Sequence, residues 1–547
     1  MKKPKSSPIF DTSDFPVGVV RSSIIKGTGA DLDELREKPI IAVVNSHTEI
    51  NPGHMHLRAL AEKVKEGIHA AGGIPFEFNV PAPCDGITEG NEGMRFVLPQ
   101  RELIADIIET HVRSMLFDGM VMIASCDKII PGMIMSAARL DLATIFLTGG
   151  PNAWAIRFMA GKKDSVDHKD YVELPLKVAT ATCSTCGACE LMGTANTFQS
   201  LAEALGLTIP GSANVPAFLS EKLLYARKAG MRIVKMVEEG LTARKILNSK
   251  SLENALIVDL AIGGSTNSTL HLPAIAHELG LELPWSRFND LNKKIPTLLS
   301  ISPNGPHGIV DLYMAGGIPA VLKRLEGDIH TDCLTVTGQT WKDILPWVEV
   351  KDERVIPPRN KPFLPEGGTV ALFGNLAPEG AVVKQSAVIP EMRTFSAKAK
   401  VFESEADLLK AFREKKVEDN IVIVIRNEGP KGGPGMPETL AVTMALDLSG
   451  LKRVALVTDG RFSGASYGPC VGQVSPEAFV GGPIAAVKDG DEITIDIPNR
   501  KIEVKLSDEE IRNRLKNFAP QKRDVPTGYM RRYVKYVTSA AKGAVLE

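Results

Sequence analysis

The sequence predicts an α/β protein: an N-terminal parallel sheet with helices on both faces and helical additions, then a smaller β-barrel-like domain. Three observations predict it. Between residues 38 and 151, apolar runs of strand length alternate with helical patterns. A stretch from Glu353 to Gly368, with Pro357, Pro358, Pro362 and Pro365, reads as a linker. Beyond it, short strands and a clear hairpin replace the helical periodicity. A chain of 547 residues also exceeds the size at which a single core stops growing. We therefore assign residues 1–355 to the first domain and 369–547 to the second.

Ile40 to Val44 forms the first strand, ending at Asn45-Ser46-His47, and Pro52 opens a helical pattern through Leu57, Leu60, Val64 and Ile68. Pro75 to Val80 is the second strand, followed by the turn Pro83-Cys84-Asp85-Gly86. Leu98-Pro99 starts a helix with Pro in its first turn, and Leu103, Ile104, Ile107, Ile108, Val112 and Met115 keep helical spacing. Gly119 to Ala124 is a third strand, a Met- and Ala-rich helix spans about Pro131 to Leu140, and Ala143 to Leu147 is a fourth strand. From Cys183 to about Leu345 the chain reads mainly helical, broken by the small polar stretch Gly263 to Asn267. That break either lines a ligand or lets two helices pack closely. In the second domain, strands are expected at Thr369 to Phe373, Asn420 to Ile425 and Val454 to Val457. The hairpin pairs Glu492 to Ile497 with Lys501 to Leu506, and Ser507 with Glu510 signals a capped helix.

In parallel sheets ligands bind beyond the carboxyl ends of the strands. Asn45, Cys84, Asp85, Cys126, Asp127, Lys128 and Gly149 all fall just past such ends, so their loops should meet in one crevice. Within Ser125-Cys126-Asp127-Lys128 a soft sulfur donor adjoins a hard carboxylate, donors that suit different metals. Asp85 and Asp127 offer oxygen to a divalent cation such as Mg²⁺. Cys183, Cys186 and Cys189 follow a ferredoxin-like spacing, with Cys126 as the natural distant partner, although structural zinc would also use such thiols. Cys333 and Cys470 stand alone and read as core residues. His54 and His56 do not share a helix face, so at most one of them belongs near the crevice. Asn427 to Glu438 packs glycines and prolines into a loop able to approach a ligand, without P-loop spacing. Ser463, in Asp459-Gly460-Arg461-Phe462-Ser463-Gly464, lacks the nucleophile-elbow pattern and a local histidine, which disfavours a hydrolase.

A net charge of −1 provides no field for nucleic acid or a membrane surface, and no apolar run is long enough to span a bilayer. Lys2, Lys3 and Lys5 are not followed by an apolar segment, so a cytoplasmic, reducing compartment is expected. Seven cysteines in such a chain favour metal or catalytic roles over disulfides.

Pro52-Gly53-His54-Met55-His56-Leu57, Cys84-Asp85-Gly86-Ile87, Leu98 to Asp106 and Ser125-Cys126-Asp127-Lys128 resemble the dihydroxy-acid/phosphogluconate dehydratase family. So do Cys186-Gly187-Ala188-Cys189, Gly263 to Asn267, Gly429 to Met436 and Asp459 to Gly464, in order along nearly the whole chain. Tyr529 to Tyr533 and Thr538 to Val545 resemble the branch that acts in valine and isoleucine synthesis. The resemblance implies a homodimer with its site between the domains, an iron–sulfur cluster and Mg²⁺. It implies Cys126 and Cys189 as cluster ligands, and Asp85, Asp127, Glu438 and a carbamylated Lys128 as Mg²⁺ ligands. Ser463 matches the proton acceptor.

One position departs: Gly53 stands where many members have a third ligand of a [2Fe-2S] cluster. A [4Fe-4S] cluster is the alternative, with Cys84, Cys183 or Cys186 supplying the missing thiolate. The reaction implied is loss of water from a small 2,3-dihydroxy acid to give a 2-oxo acid. A sugar-acid dehydratase is the rival within the family, and an iron–sulfur electron-transfer or sensor protein the rival outside it.

Overall fold

The computed structural model describes residues 4–153, 183, 185–464, 466, 468–520, 523–525 and 528–547. Its sheet contains β1 (Ile40–Asn45), β2 (Ile74–Asn79), β3 (Gly119–Ala124) and β4 (Ala143–Thr148), all parallel, in the order β2-β1-β3-β4. Strands β1, β3 and β4 are buried along their whole length, which is why their sequences are continuous apolar runs rather than alternating ones.

The helices that matter are α1 (Val17–Lys26), α2 (Leu57–Ala70), α3 (Pro99–Met115), α4 (Ile129–Leu140), α5 (Thr194–Ala204), α6 (Ser220–Glu239), α7 (Ser249–Ile262) and α8 (Ser268–Glu278). Because β1 leads outward to β2 and β3 outward to β4, right-handed crossovers put α2 and α4 on opposite faces. The same order makes the gap between β1 and β3 a topological switch point. Glycine lets α2 and α6 touch: a Cβ on Gly67 would lie 2.1 Å from the Arg227 carbonyl, and one on Gly230 2.1 Å from that of Val64. Residues 51–56 form turns, so α2 begins at Leu57 rather than at Pro52. Pro52 marks the loop, not the helix.

The second unit is a closed barrel of β5 (Val370–Gly374), β6 (Ala377–Val383), β7 (Thr394–Phe402), β8 (Ile421–Ile425), β9 (Val454–Thr458), β10 (Cys470–Ser475), β11 (Glu492–Asp496) and β12 (Lys501–Val504). Val422, Val424, Ala455, Val457, Ile493, Ile495, Ile502 and Val504 fill it. Ile423, Ile425 and Leu456 point the other way, onto α9 (Leu440–Ser449) and its Val442. Strands β6, β7 and β10 escape a reading by pattern. β6 carries Pro378 and Gly380, β7 alternates Ala with Lys and Ser, and β10 is broken by Gly472 and a register shift. Ser507 does cap its helix, accepting from Glu510 N at 3.1 Å.

After the barrel, α10 (Tyr529–Tyr536) and the final residues return to the first core, where Met530, Tyr533 and Val545 are buried. Arg101, at the start of α3, is the anchor. Its guanidinium donates to the carbonyls of Gly543 and Ala544, each at 2.8 Å, and pairs with Glu102 at 2.6 Å without access to solvent. Replacing Arg101 by Ala is expected to cost about 3–5 kcal/mol, because Glu102 is left as an uncompensated buried charge. Equilibrium chemical denaturation would measure this, and a loss below about 1 kcal/mol would refute the anchoring role.

Candidate active site

Past β1 the chain turns at Asn51, whose Oδ1 accepts from Gly53 N at 3.0 Å and whose Nδ2 reaches the Ala82 and Pro83 carbonyls at 3.4 and 3.3 Å. One side chain thus joins the loops after β1 and β2. Asn51 Nδ2 also lies 3.8 Å from Cys126 Sγ. His54, fully buried, reaches the same place. Its Nδ1 faces the Ser46 carbonyl at 2.8 Å, which can only accept, so Nδ1 carries the proton. Nε2 is then left to accept from Cys126 N at 3.2 Å. Burial lowers the His54 pKa to about 3, which keeps the ring in this neutral form. His56 Nε2 meets the Gly149 carbonyl at 3.0 Å instead. Both histidines therefore brace loops of the crevice, from the turn before α2 rather than from a helix face.

The cysteine-rich segment is threaded between strand ends. Gly187 N donates to the Pro52 carbonyl at 3.0 Å, Ala188 N to that of Gly150 at 2.9 Å, and Asn152 N to that of Ala188 at 2.8 Å. Gly187 is required here: its φ is +121° and a Cβ would lie 2.4 Å from Asn152 N. Asn196 of α5 holds the Cys189 carbonyl.

The thiols divide into two groups. Burial first, then the charges of Asp127 and Cys84, push the Cys126 thiol well above its ordinary value. Cys189 is pushed up by its hydrogen bond with Cys183, and it also feels Cys126 and Asp127. That same bond lowers Cys183 to about 7. Cys186 is raised by burial and is coupled to no other thiol among the described residues. Cys84 and Cys189 thus sense or act on Cys126, and Cys183 acts on Cys189, whereas no thiol among the described residues shifts Cys186. Cys333 and Cys470 are buried in the cores, as expected.

This sulfur set fits a soft-metal cluster. Cys126, held protonated by burial and by neighbouring negative groups, and Cys189, held so by Cys183 and by burial, would give up their protons when a cation binds them. Cys183 is already lowered to about 7. A cradle is also present: a Cβ on Gly53 would lie only 2.8 Å from Cys126 Sγ. A side chain at that position would be directed against the sulfur.

Glu438 arrives from the barrel. The Gly-rich loop after β8 is shaped by carboxylates: Glu477 accepts from Gly432 N at 2.9 Å, and Asp459 from Asn427 N and Glu428 N at 3.1 and 2.8 Å. Gly435 lets the loop cross to the first unit, since a Cβ there would lie 1.7 Å from the Arg95 carbonyl. Glu89 closes the same junction by accepting from Ala441 N at 3.0 Å. As a result Asp85, Asp127 and Glu438 bring carboxylate oxygens within 4.8 Å of one another.

Lys128 sits among these carboxylates, with Nζ 2.6 Å from Asp85, 3.6 Å from Asp127 and 3.7 Å from Glu438. Burial opposes the Asp85 anion, yet Lys128 and Arg461 hold its pKa below the usual value. Burial, with Asp85 beside it, raises Asp127 to about 6, and burial raises Glu438 to about 7. Three carboxylates this close, with Asp127 and Glu438 pushed up by burial and by their negative neighbours, are a fitting hard-oxygen set for a divalent cation.

Two groups that hold Glu438 lie in stretches singled out in the sequence without being assigned a role. Arg461 Nη1 pairs with Glu438 Oε2 and with Asn267 Oδ1, both at 3.0 Å, while Nε reaches the Met436 carbonyl at 2.8 Å. Asn267 Nδ2 donates to Thr194 Oγ1 at 2.9 Å and lies 3.5 Å from Glu438 Oε2. Of the two alternatives for the Gly263 to Asn267 stretch, close packing is seen at Gly264, where a Cβ would lie 2.0 Å from Asp259 Oδ1, and Asn267 turns its side chain to Glu438. Ser463 lies two residues beyond Arg461, whose carbonyl accepts from Thr439 N at 2.9 Å. Gly464, next to it, packs on Ser265: a Cβ there would lie 3.0 Å from Ser265 Oγ.

A crevice at a parallel-sheet switch point, roofed by a barrel loop and lined by adjacent oxygen and sulfur donors, is the architecture of an enzyme. Residues 38–344 match the dihydroxy-acid/6-phosphogluconate dehydratase N-terminal family and residues 354–544 the corresponding C-terminal family. The chain belongs to this dehydratase family. It is 49% identical to dihydroxy-acid dehydratase of Ignicoccus hospitalis, over 94% of this chain and 96% of the relative. Identity to dihydroxy-acid dehydratase of Thermodesulfovibrio yellowstonii is 48%, over 96% and 97% of the two chains. Identity to that of Methanosarcina barkeri is 47%, over the same shares.

Proposed function

We propose that the chain is a dihydroxy-acid dehydratase, a hydro-lyase converting 2,3-dihydroxy-3-methyl carboxylic acids to 2-oxo acids in valine and isoleucine synthesis. The observation that carries the reading is the oxygen triad of Asp85, Asp127 and Glu438 beside the thiols of Cys126 and Cys189. Full-length similarity to dihydroxy-acid dehydratases supports the substrate class.

In this reading Asp85, Asp127, Glu438 and a carbamylated Lys128 would hold Mg²⁺. Cys126, Cys189 and one further cysteine would hold the iron–sulfur cluster. When bound, the two groups supply Lewis acidity for the substrate's carboxylate and 2-hydroxyl side and for its departing 3-hydroxyl. Ser463 accepts the proton from C2, and the pair of electrons left behind forms the C2–C3 double bond as hydroxide leaves C3. The enol then tautomerises to the 2-oxo acid, so the sum is loss of one water without net electron transfer. Arg461 and Asn267 keep Glu438 in place, and His54 keeps Cys126 in place.

A 2-oxo acid assay on a panel of branched-chain diols and sugar acids tests the reading. Turnover of the branched-chain diols is expected. Turnover confined to sugar acids would move the chain to the rival substrate class, and none on any acid would favour a redox role.

For the cluster, Cys126→Ser and Cys189→Ser are each expected to abolish iron and sulfide binding. At least one of Cys84→Ser, Cys183→Ser and Cys186→Ser should do the same, and the thiol grouping favours Cys84 or Cys183. Iron and sulfide content, with electron paramagnetic resonance of dithionite-reduced anaerobic protein, reads the outcome. Full occupancy in the Cys126 or Cys189 variant would sink this assignment.

We also read the molecule as a homodimer. Supporting this, Phe15 and then Val17, Val20 and Ile24, which share one side of α1, are exposed. No described helix is long and apolar enough to cross a membrane.

A further inference from the structure

Lys384 follows β6 and is buried. An ammonium has three donors and is costly to take out of water unless it is paired. Among the described residues its one hydrogen bond runs from Nζ to the Gly464 carbonyl, at 3.1 Å. Among the described residues the charge is therefore directed at one carbonyl, that of Gly464, the residue after Ser463.

That peptide is wedged against the other unit. A Cβ on Gly464 would lie 3.0 Å from Ser265 Oγ and 3.1 Å from the Gly193 Cα. Beside Gly264, which precedes Ser265, lies Asp259 of α7, also buried, with Oδ2 accepting from Ser268 Oγ at 2.7 Å and Oδ1 without a partner among the described residues. A Cβ on Gly264 would lie 2.0 Å from that Oδ1. Asp259 is the titratable group that faces Lys384, and Gly464 meets it with a neutral carbonyl. Burial lowers the Lys384 pKa to about 8 and raises that of Asp259 to about 7, so at neutral pH Lys384 is still mostly the ammonium while Asp259 is partly protonated. A pair of this kind is a poor device for stability alone.

We propose that Lys384 is a positioning residue for the proton acceptor: its ammonium grips the Gly464 carbonyl, fixes the Ser463 loop and places a positive charge that favours the serine alkoxide. This rests on the proposed role of Ser463. A negative charge forming on Ser463 is stabilised by a fixed cation in a water-poor site, and the cation needs no reorganisation when the proton moves.

The test uses the full-length enzyme carrying cluster and Mg²⁺, and the same protein stripped of metal. Lys384→Met and Lys384→Gln remove the charge, and Lys384→Arg retains it. In metal-free protein, amides of the 459–464 segment should exchange with solvent at least about tenfold faster in the neutral variants, because their tether is lost. In the loaded enzyme, kcat should fall while KM stays within about twofold, the pattern of an interaction made in the transition state.

The sign of the pH effect follows from charge. Removing a cation raises the pKa of the serine, so the rising limb of the kcat profile moves to higher pH, by roughly one unit. Lys384→Arg should restore that limb. Unchanged exchange and an unchanged profile in the neutral variants would overturn the proposal, as would a Lys384→Arg variant behaving like Lys384→Met. Failure of both neutral variants to fold would overturn it too, leaving Lys384 a part of the core. Ser463→Ala serves as the control: if it retains exchange of the substrate C2 proton, the reading of Ser463 fails. The amide-exchange result on Lys384 is then still decided on its own.

Discussion

Asp85→Asn, Asp127→Asn and Glu438→Gln are each expected to lower turnover by at least about three orders of magnitude, equivalent to the several kcal/mol that a bound cation contributes. The visible absorption of the cluster should survive in all three. These side chains come from loops after β2, β3 and β8 and bring their oxygens within 4.8 Å of one another. Each substitution keeps shape and removes one negative charge, so cation binding weakens while the packing of the loop is retained. None of the three is a soft ligand, so the sulfur set should keep its metal.

A further expectation separates ligand loss from misfolding. Metal-free Asp127→Asn should melt no lower than the parent, because burial and the neighbouring Asp85 already disfavour its anion. Oxo-acid formation with Mg²⁺ present, bound Mg²⁺ and the visible spectrum measure these outcomes. Near-normal turnover in all three variants would show that the cation is held elsewhere.

Ser463→Ala is expected to reduce turnover by at least the roughly 10²–10⁴-fold that follows loss of a general base. The fold should be retained, since the substitution removes a single hydroxyl from a partly buried loop that Arg461 and Gly464 also anchor. The decisive measurement is exchange of the substrate C2 proton with solvent, which reports proton removal without requiring loss of the 3-hydroxyl. Exchange at the parent rate would assign the proton to another group. Arg461 Nη2, buried and without a partner among the described residues, is a donor and cannot fill that role.

Much of this site was legible before any fold was known. Cys84, Asp85, Cys126, Asp127 and Lys128 could be placed together because each follows a strand of a parallel sheet, and such loops share one edge. The barrel hairpin was legible because its residues alternate with the pleat. The strands β6, β7 and β10 were not, since Ala, Gly and Pro weaken the pattern where the closed barrel supplies the partners. His54 is hidden for a related reason: it sits in the turn before α2, where helical spacing does not hold.

The sequence by itself determined the alternation of strands and helices in the parallel-sheet unit, the change to a β-rich second unit, and which loops carry hard and soft donors. These follow from periodicities and turn residues that act over a few positions. Only the tertiary structure decided that Glu438 crosses from the barrel to Asp85 and Asp127, and that Cys183 rather than Cys186 meets Cys189. It alone showed Arg461 and Asn267 clasping Glu438, His54 receiving the Cys126 amide, and Lys384 spending its charge on Gly464. The Glu438, His54 and Lys384 contacts join residues tens to hundreds of positions apart. All depend on which polar groups are taken out of water together, which is a property of the packed molecule and not of any local stretch of chain.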